Sequence, residues 1–304
     1  MDRLDAMRLF CQIVDAGGFA KAAKVLGMSP TAVTQGLARL ERYYGTRLLD
    51  RTTRRMSVTE AGRILYERAR HLLDETVATE DAVRGATCTP QGNLRVTLPL
   101  GVAMTFIYRR LSEFAAQYPD ISLDLQVSDR IVDLVAGNFD IGLRAGILAD
   151  AEVVAYSLCR YRRLTCASPN YLAQHGVPRH PSDLPAFACL SYRHDALAVT
   201  WDFLVDGQRQ SYGIQSSYAS NESYALLAMT RAGMGISRQP DWLVEDDLRT
   251  GRLVTVLDDF ALPIGHDAPG IYAITPRQRY RTAKVEAFLA FARESVGEAQ
   301  PTSQ

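Results

Sequence analysis

The chain has 304 residues with 34 Lys and Arg against 34 Asp and Glu, so its formal net charge is zero. This length is enough for two or three domains, and no apolar run reaches membrane-spanning length. Because the N terminus lacks a signal-peptide pattern, we expect a cytoplasmic protein. Residues 1–63 hold 11 Lys and Arg against 6 Asp and Glu, so the basic excess lies in the N-terminal part.

Five cysteines stand at positions 11, 88, 159, 166 and 189. Their odd number and scattered spacing differ from the paired spacing of a zinc site and from a secreted disulfide framework. We therefore expect reduced, mostly buried thiols, and we predict neither a metal nor a cofactor. A redox role for Cys159 or Cys166, which are close in sequence, stays open.

The first part of the chain predicts three successive helices. Apolar residues at helical spacing mark one helix around residues 9–14 and a second over 19–26, which ends at Gly27 in a tight turn. Ser29 is placed to cap a third helix, Pro30 suits its first position, and Gly45 ends it. Four polar residues of this helix point outward near its N-terminal half: Thr31, Thr34, Gln35 and Arg39.

A basic hairpin follows the third helix, over residues 48–58. A capped helix after a glycine turn, followed by such a hairpin, is the outline of a winged helix-turn-helix. We therefore predict DNA contacts at Ser29, Pro30, Thr31, Thr34, Gln35, Arg39, Arg51, Arg54 and Arg55. The alternatives are a protein-binding winged helix and arginines that only form a solvated face.

A long helix is predicted after the hairpin. Thr59 can cap it, and no proline or further glycine occurs between Gly62 and about Arg84. Its residues at alternating four-three spacing are Leu65, Ala69, Leu72, Thr76, Thr79 and Val83. Two interpretations remain: a single helix lying on its own domain, or a weak coiled coil with a second chain. We favour dimerisation, and we predict a hinge in the Gly- and Pro-containing segment that follows.

From residue 93 onward, predicted strands alternate with helices, which is typical of an α/β domain with a mostly parallel sheet. We predict strands over residues 94–98, 121–127, 141–144, 164–167, 201–205, 234–238, 254–257 and 271–274, and a further strand at Leu190. We predict helices over residues 102–117, 131–136, 169–175, 224–232, 240–247 and 282–294.

Several motifs resemble those of the LysR-type transcriptional regulators. In the N-terminal part they are Ala22-Ala23 with Leu26, Ser29 with Ala32-Val33-Thr34, Leu37 with Leu40-Glu41, Gly45 with Leu48-Leu49 and Arg51, and Val58 to Gly62. In the remainder, residues 113–125, 133–146, 166–176 and 232–237 resemble the effector domain of the same family. The resemblance implies that this domain is like a periplasmic solute-binding protein, with two Rossmann-like lobes and a ligand cleft between them.

The fold class that we predict is therefore an α/β effector domain of two lobes, preceded by an all-α winged helix-turn-helix domain and a long linker helix. The predicted divisions are residues 1–58 for DNA binding, 59–87 for the linker and dimerisation helix, 88–92 for the hinge, 93–163 and 266–304 for lobe I, and 164–265 for lobe II. The resemblance also implies an antiparallel homodimer through the linker helix and assembly into a dimer of dimers.

Effector contacts are predicted where strands end and helices begin, because backbone N–H groups at a helix start carry partial positive charge. The predicted residues are Leu100, Gly101, Val102, Ser128, Asp129, Arg144, Cys166, Asn221 and Glu222. Asn221 alternatively only caps its helix, and Arg144 only pairs with a carboxylate. Gly101 stands where many members of the family have a hydroxyl residue. A small organic anion is the favoured effector.

Enzyme motifs are missing from the sequence. It contains no phosphate-cradling P-loop and no G-x-S-x-G turn, and Gly233 to Gly235 lacks the third glycine of a dinucleotide fingerprint. We predict no enzyme activity, and a transcription regulator that binds promoter DNA in response to a small effector. The alternative is a small-molecule-binding α/β protein or enzyme with a helical appendage that does not bind DNA.

Overall fold

The computed structural model describes residues 2–52, 55–84, 89–147, 153–192, 199–265, 268–277 and 282–297. The chain divides into two compact units. The first comprises Met1–Gly92 with Tyr280–Thr282, and the second comprises Asn93–Arg279 with Ala283–Gln304. We call them the N-terminal unit and the effector unit.

Three helices form the core of the N-terminal unit: α1 (Arg3–Ala16), α2 (Phe19–Leu26) and α3 (Pro30–Tyr44). Each ends at a glycine in the left-handed conformation, at Gly17, Gly27 and Gly45. Their apolar faces enclose a common cluster that includes Phe10 and Leu37, both fully buried. Burial of this shared apolar surface is what holds three short helices together.

The hairpin consists of β1 (Leu49–Thr52) and β2 (Arg55–Val58), paired antiparallel from Leu49 with Val58 to Thr52 with Arg55. Helix α4 (Glu60–Arg84) follows, and the Thr59 hydroxyl caps it by accepting a hydrogen bond from Gly62 N at 3.0 Å. A Cβ atom at Gly62 would lie 2.0 Å from the carbonyl oxygen of Leu48. Glycine therefore permits the close approach of α4 to the hairpin.

Helix α4 packs against α1 of its own chain. Ala69 is fully buried beside Met7 and Cys11 of α1, with Leu65 packed against the same cluster. Asp15 of α1 stabilises this contact by accepting a hydrogen bond from Arg70 Nη1 of α4 at 2.6 Å. Two of the six predicted seam positions, Leu65 and Ala69, thus pack on α1 of the same chain, as the single-helix alternative predicted for that stretch.

Lobe I of the effector unit contains a five-stranded sheet in the order β4-β3-β5-β14-β6. Its strands are β3 (Gly92–Leu98), β4 (Ile121–Val127), β5 (Ile141–Gly146), β6 (Val153–Arg160) and β14 (Gly270–Pro276). One continuous helical segment follows β3, made of α5 (Leu100–Val102), a π-helical turn (Ala103–Ile107) and α6 (Tyr108–Gln117). Together with α10 (Ala283–Gly297) it encloses the largest apolar cluster of the described residues.

Lobe II contains a second five-stranded sheet, in the order β11-β8-β12-β7-β13. Its strands are β7 (Arg163–Ala167), β8 (Cys189–Tyr192), β11 (Ser216–Ser220), β12 (Ile236–Pro240) and β13 (Val254–Thr255). Its helices are α7 (Pro169–His175), α8 (Ser223–Arg231) and α9 (Asp241–Arg249). The separate hairpin of β9 (Val199–Val205) and β10 (Gln208–Ile214) packs on one face of this sheet, and α8 and α9 pack on the other.

The α/β architecture with two lobes is confirmed, and some predicted elements are wrong. Residues 131–136 form no helix but an irregular segment with turns, where the Asp133 carboxylate accepts hydrogen bonds from Val135 N and Ala136 N. Strands β6, β10 and β11 were not predicted. The sheets are also more mixed than expected, because β14 runs antiparallel to both β5 and β6 and β12 runs antiparallel to β7.

Candidate DNA-binding face and effector site

The N-terminal half of α3 presents an exposed polar face. The Ser29 hydroxyl caps the helix by accepting a hydrogen bond from Ala32 N at 3.2 Å, and Pro30 occupies the first turn. Five of the six predicted DNA-contact residues of this region are exposed and one, Thr34, is partly exposed. The exposed five are Ser29, Pro30, Thr31, Gln35 and Arg39.

The hairpin is attached to α3 through Glu41. Its Oε1 accepts hydrogen bonds from Leu48 N at 2.8 Å and Leu49 N at 3.3 Å. One carboxylate therefore fixes the start of the β1–β2 hairpin, which we call the wing, relative to α3. The sequence showed Glu41 only as part of a motif, because its partners lie seven and eight residues further on, beyond the helix end.

Of the three arginines predicted to contact DNA from the wing, the structure describes the backbone of two. Arg51 and Arg55 stand in β1 and β2, opposite Met56 and Thr52 respectively, and their side chains lie outside the described part of the chain. Arg54 lies outside the described residues altogether.

In the effector unit, Asp129 joins the two lobes. Its Oδ1 accepts a hydrogen bond from Leu100 N, at the start of α5, at 3.1 Å. Its Oδ2 accepts bonds from the Ser223 backbone N at 3.4 Å and the Ser223 hydroxyl at 3.5 Å, at the start of α8. A single carboxylate thus occupies donors at two helix starts. Of these donors, Leu100 N is the one that the sequence assigned to an effector anion.

The other donors at the start of α8 are taken by Glu222. Its carboxylate accepts hydrogen bonds from Tyr224 N at 2.8 Å and Ala225 N at 2.6 Å, so Glu222 is the N-cap residue. Asn221, for which capping was an alternative, is exposed just before it. Capping at the first turn is therefore done by the chain's own acidic side chains.

A tryptophan fills the space beside Gly101. A Cβ atom at Gly101 would lie 3.3 Å from Cη2 of Trp242, which belongs to α9 of lobe II. The Trp242 ring centroid lies 5.2 Å from that of Phe106 and 5.9 Å from that of Tyr161. Glycine at position 101 thus leaves room for Trp242 to form an aromatic contact between the lobes. The sequence alone did not indicate this contact.

Arg144 lies close enough to Asp129 for the two charges to interact. Burial lowers the pKa of the Arg144 guanidinium, and the negative charge of Asp129 opposes that shift. Its Nη1 donates to the carbonyl oxygen of Leu143 at 2.7 Å, while Nη2 is buried without a hydrogen-bond partner. Tyr192 at the end of β8 pairs with Ser220 of β11, close before the start of α8, and burial together with the charge of Asp129 raises the pKa of Tyr192 to about 12. We call Leu100, Asp129, Arg144, Tyr192 and Ser223 the inter-lobe group.

The remaining predicted effector residues lie in different surroundings. Val102 is fully buried in the apolar cluster of lobe I. Cys166 is fully buried on the helix-covered face of the lobe II sheet, where its Sγ lies 3.8 Å from Ser237 Oγ, because alternation along β7 turns it toward α8 and α9. Ser128 is partly exposed, and its hydroxyl accepts a hydrogen bond from Arg130 N at 3.2 Å. Neither Val102 nor Cys166 offers its side chain to the inter-lobe group.

Two further features are absent from the described residues. None of the helices there is long and apolar enough to cross a membrane. No group of three or more His, Cys, Asp and Glu side chains in the same part of the chain is arranged to hold a metal ion.

Family models match nearly the whole chain. Residues 4–63 match the model described as a bacterial regulatory helix-turn-helix protein of the lysR family. Residues 89–297 match the LysR substrate binding domain.

The chain is also similar to curated regulators. It is 32% identical to the HTH-type transcriptional regulator CrgA of Neisseria meningitidis, over 96% of this chain and 97% of the relative. It is 34% identical to an HTH-type transcriptional repressor of Pseudomonas aeruginosa, over 98% and 93% respectively. The solved structure of CrgA matches with a TM-score of 0.63 at 31% identity, covering 96% of this chain and 98% of that chain.

A winged helix-turn-helix followed by a two-lobed α/β domain defines a DNA-binding regulator that carries a ligand-binding module. The chain belongs to the LysR family of bacterial transcriptional regulators. The prediction of an effector-responsive DNA-binding regulator is thus confirmed over that of an α/β protein with an unrelated helical appendage. Its relatives are named as transcriptional regulators and not as enzymes.

Proposed function

We propose that the exposed face of α3 enters the major groove and reads the operator. Ser29, Pro30, Thr31, Thr34, Gln35 and Arg39 contact the duplex there, while Arg51, Arg54 and Arg55 of the wing contact phosphates. The observation that supports this proposal is the exposure of the N-terminal half of α3 beside a hairpin attached through Glu41. Base edges are read by Gln35, whose amide matches the donor and acceptor pattern of adenine.

The regulator acts as a homodimer through α4, and dimers assemble in pairs. Among the described side chains of α4, the exposed large apolar ones are Ile64 and Leu72, at 51% and 50% of their full accessibility. Ile64 adjoins Leu65, and Leu72 follows Leu65 by one heptad, so both border the stripe that α4 turns to α1 and form the helix face still open to a second chain. Pairing of these faces between two chains presents two DNA-binding heads to a pseudo-palindromic site.

The effector, a small organic anion, binds at the inter-lobe group. Asp129 bridges Leu100 and Ser223, so a ligand that enters between the lobes competes with this bridge. A ligand that binds one arrangement of the lobes more tightly shifts their equilibrium toward it. The protein acts in the cytoplasm, where the chromosome of a bacterium lies, and has no catalytic activity of its own.

Replacement of Gln35 tests the proposed readout. Because Gln35 contacts base edges and not phosphates, Q35A changes the selected operator sequence more than the overall affinity. Selection of bound sequences from a random pool, followed by affinity measurement on the selected sites, separates the two effects. Q117A, which removes an exposed Gln at the end of α6, is the matched control. Identical selected sequences for Q35A and the unmodified protein would refute this assignment.

A further inference from the structure

The guanidinium group of Arg238, in β12, lies inside lobe II. Its guanidinium carbon lies 5.1 Å from the centroid of the Phe203 ring, beneath the β9–β10 hairpin. Its Nε is buried without a hydrogen-bond partner, and no salt bridge to Arg238 occurs among the described residues. Removing a guanidinium from water is unfavourable unless a partner replaces the lost hydration. Contact with an aromatic ring compensates only part of that loss.

Other polar side chains share this face of the sheet. Arg238 pairs with Thr165, and Pro240 pairs with Arg163, across β12 and β7. Ser237 pairs with Leu190 of β8, so the next position along these parallel strands brings Ser191 beside Arg238. Because alternate residues of a strand point to the same face, Arg163, Arg238 and Ser191 project together toward the hairpin. Ser191 is fully buried, and its Oγ also has no hydrogen-bond partner.

The charges around Arg238 are unbalanced. Burial, together with the positive charge of Arg163, lowers the pKa of Arg238 to about 10. The carboxylate whose charge acts on it is Asp202, which is already bound to Arg209 Nη2 at 2.5 Å and to the Ser211 hydroxyl at 2.5 Å. Asp202 and Phe203 are neighbours in β9 and point to opposite faces of the hairpin, so Asp202 faces away from the side where Phe203 covers Arg238.

This cluster is continuous with the inter-lobe group. Ser191 and Tyr192 are adjacent at the end of β8, and the charges of both Arg163 and Asp129 act on the pKa of Tyr192. Both Arg163 and Arg238 are partly exposed, so a small molecule can reach them from solvent. The cluster therefore lies at the lobe II side of the place where the effector binds.

We propose that Arg163, Arg238 and Ser191 form an anion-binding subsite that holds a carboxylate group of the effector. Guanidinium groups present forked donors that match the two oxygens of a carboxylate, and the Ser191 hydroxyl adds a third donor. This inference rests on the proposed binding of an organic anion between the lobes. In this proposal the carboxylate of the effector binds side-chain donors. The backbone donors at the helix starts are already occupied by Asp129 and Glu222.

Thermal unfolding of the full-length protein in exchanged salts tests the subsite. Sodium chloride is replaced at constant ionic strength by sodium acetate, succinate or benzoate, for the unmodified protein and for R238L, S191A and R249L. Arg249 is an exposed cation of α9 outside the subsite, so R249L is the matched control. We expect at least one carboxylate to raise the melting temperature of the unmodified protein and of R249L by about 2–4 °C over chloride.

The two subsite variants separate binding from folding. R238L loses the carboxylate response, and its melting temperature in chloride is higher than that of the unmodified protein, because a half-buried cation without a salt bridge is gone. S191A, which removes only one donor, weakens the apparent affinity for the same carboxylate about three- to tenfold. Carboxylate responses that are the same in the unmodified protein, R238L and S191A, including no response in any of them, overturn the subsite.

Binding to operator DNA distinguishes this inference from the proposed function. If a carboxylate changes operator affinity equally in the unmodified protein and R238L, the effector role stands and the subsite is refuted. If a carboxylate binds through Arg238 without changing operator affinity, the subsite stands and the effector role of that ligand is refuted.

Discussion

The carboxylate of Asp129 in lobe I accepts a hydrogen bond at 3.4 Å from the backbone N of Ser223 in lobe II. The same carboxylate also accepts from Leu100 N, so one side chain connects the starts of α5 and α8. Apart from this polar bridge, Trp242 forms an aromatic contact between the lobes with Phe106 and Tyr161. The polar bridge is the part that an anionic ligand can replace, because it consists of N–H donors and a carboxylate.

Replacing Asp129 by Asn is expected to weaken the connection between lobes. An amide is a weaker acceptor than a carboxylate, so D129N lowers the free energy of unfolding by about 1–2 kcal/mol. Urea denaturation of the full chain measures this change. D120N, at an exposed aspartate in the turn before β4, is the control and leaves stability within about 0.5 kcal/mol of the original. Equal stabilities of D129N and D120N would show that the bridge contributes nothing.

The wing is expected to depend on Glu41. E41A leaves the backbone N–H groups of Leu48 and Leu49 without their acceptor, which costs about 1–3 kcal/mol. Because the hairpin then loses its fixed position beside α3, DNA affinity falls for all sequences alike. Fluorescence anisotropy with one specific and one unrelated duplex measures both affinities.

The control for this substitution is E245A, at an exposed glutamate of α9 in the effector unit. It keeps both affinities at the original values. A selective loss on the specific duplex in E41A would instead assign Glu41 to base readout.

Replacing the two wing arginines is expected to remove phosphate contacts. R54A/R55A lowers affinity for every sequence, and the slope of log affinity against log salt becomes shallower by about two, since each phosphate contact contributes about 0.9. Titrations at several salt concentrations give the slope. The pair R179A/R249A removes two exposed arginines of lobe II and leaves the slope unchanged. An unaltered slope in R54A/R55A contradicts the wing assignment.

Local signals in the sequence were sufficient to predict the helices of the N-terminal unit. Ser29 and Pro30 define the start of α3 through interactions within one turn, and Gly45 ends it through a backbone conformation of its own, so neighbouring residues carry all the information. The position of Asp129 at a strand end was also predictable. Its bond to Ser223 was not, because it joins residues 94 positions apart.

Non-local packing explains the other differences. The spacing of Leu65 and Ala69 is the same whether a helix packs on its own chain or on a partner, so periodicity could not show that α1 covers them. Likewise, the reason for a glycine at position 101 is its contact with Trp242, which lies far along the chain and could not be predicted as its neighbour. Arg238 was predicted only as the end of a strand, and its burial beneath Phe203 depends on the separate β9–β10 hairpin.

Gly62 is expected to tolerate no side chain. A Cβ atom there would lie 2.0 Å from the Leu48 carbonyl oxygen and 2.9 Å from Cγ1 of Val58, so G62A displaces α4 from the hairpin. Relief requires a backbone shift, and we expect a loss of about 2–4 kcal/mol with reduced DNA affinity. Denaturation and DNA titration check the two effects. G18A is the control, because a Cβ atom at Gly18 meets nothing within 4 Å and its backbone is extended.

Cys166 is expected to resist thiol reagents in the folded protein. Burial raises the pKa of its thiol to about 12, so at pH 8 only about one molecule in ten thousand carries the reactive thiolate. Raising the pH toward 12 increases that fraction tenfold per unit, and denaturation removes the burial altogether. Mass spectrometry after iodoacetamide treatment at pH 8 should therefore find Cys166 unmodified in native protein and modified in urea. Cys166 alkylated at pH 8 in native protein, at the rate seen in urea, would return a redox role to this residue.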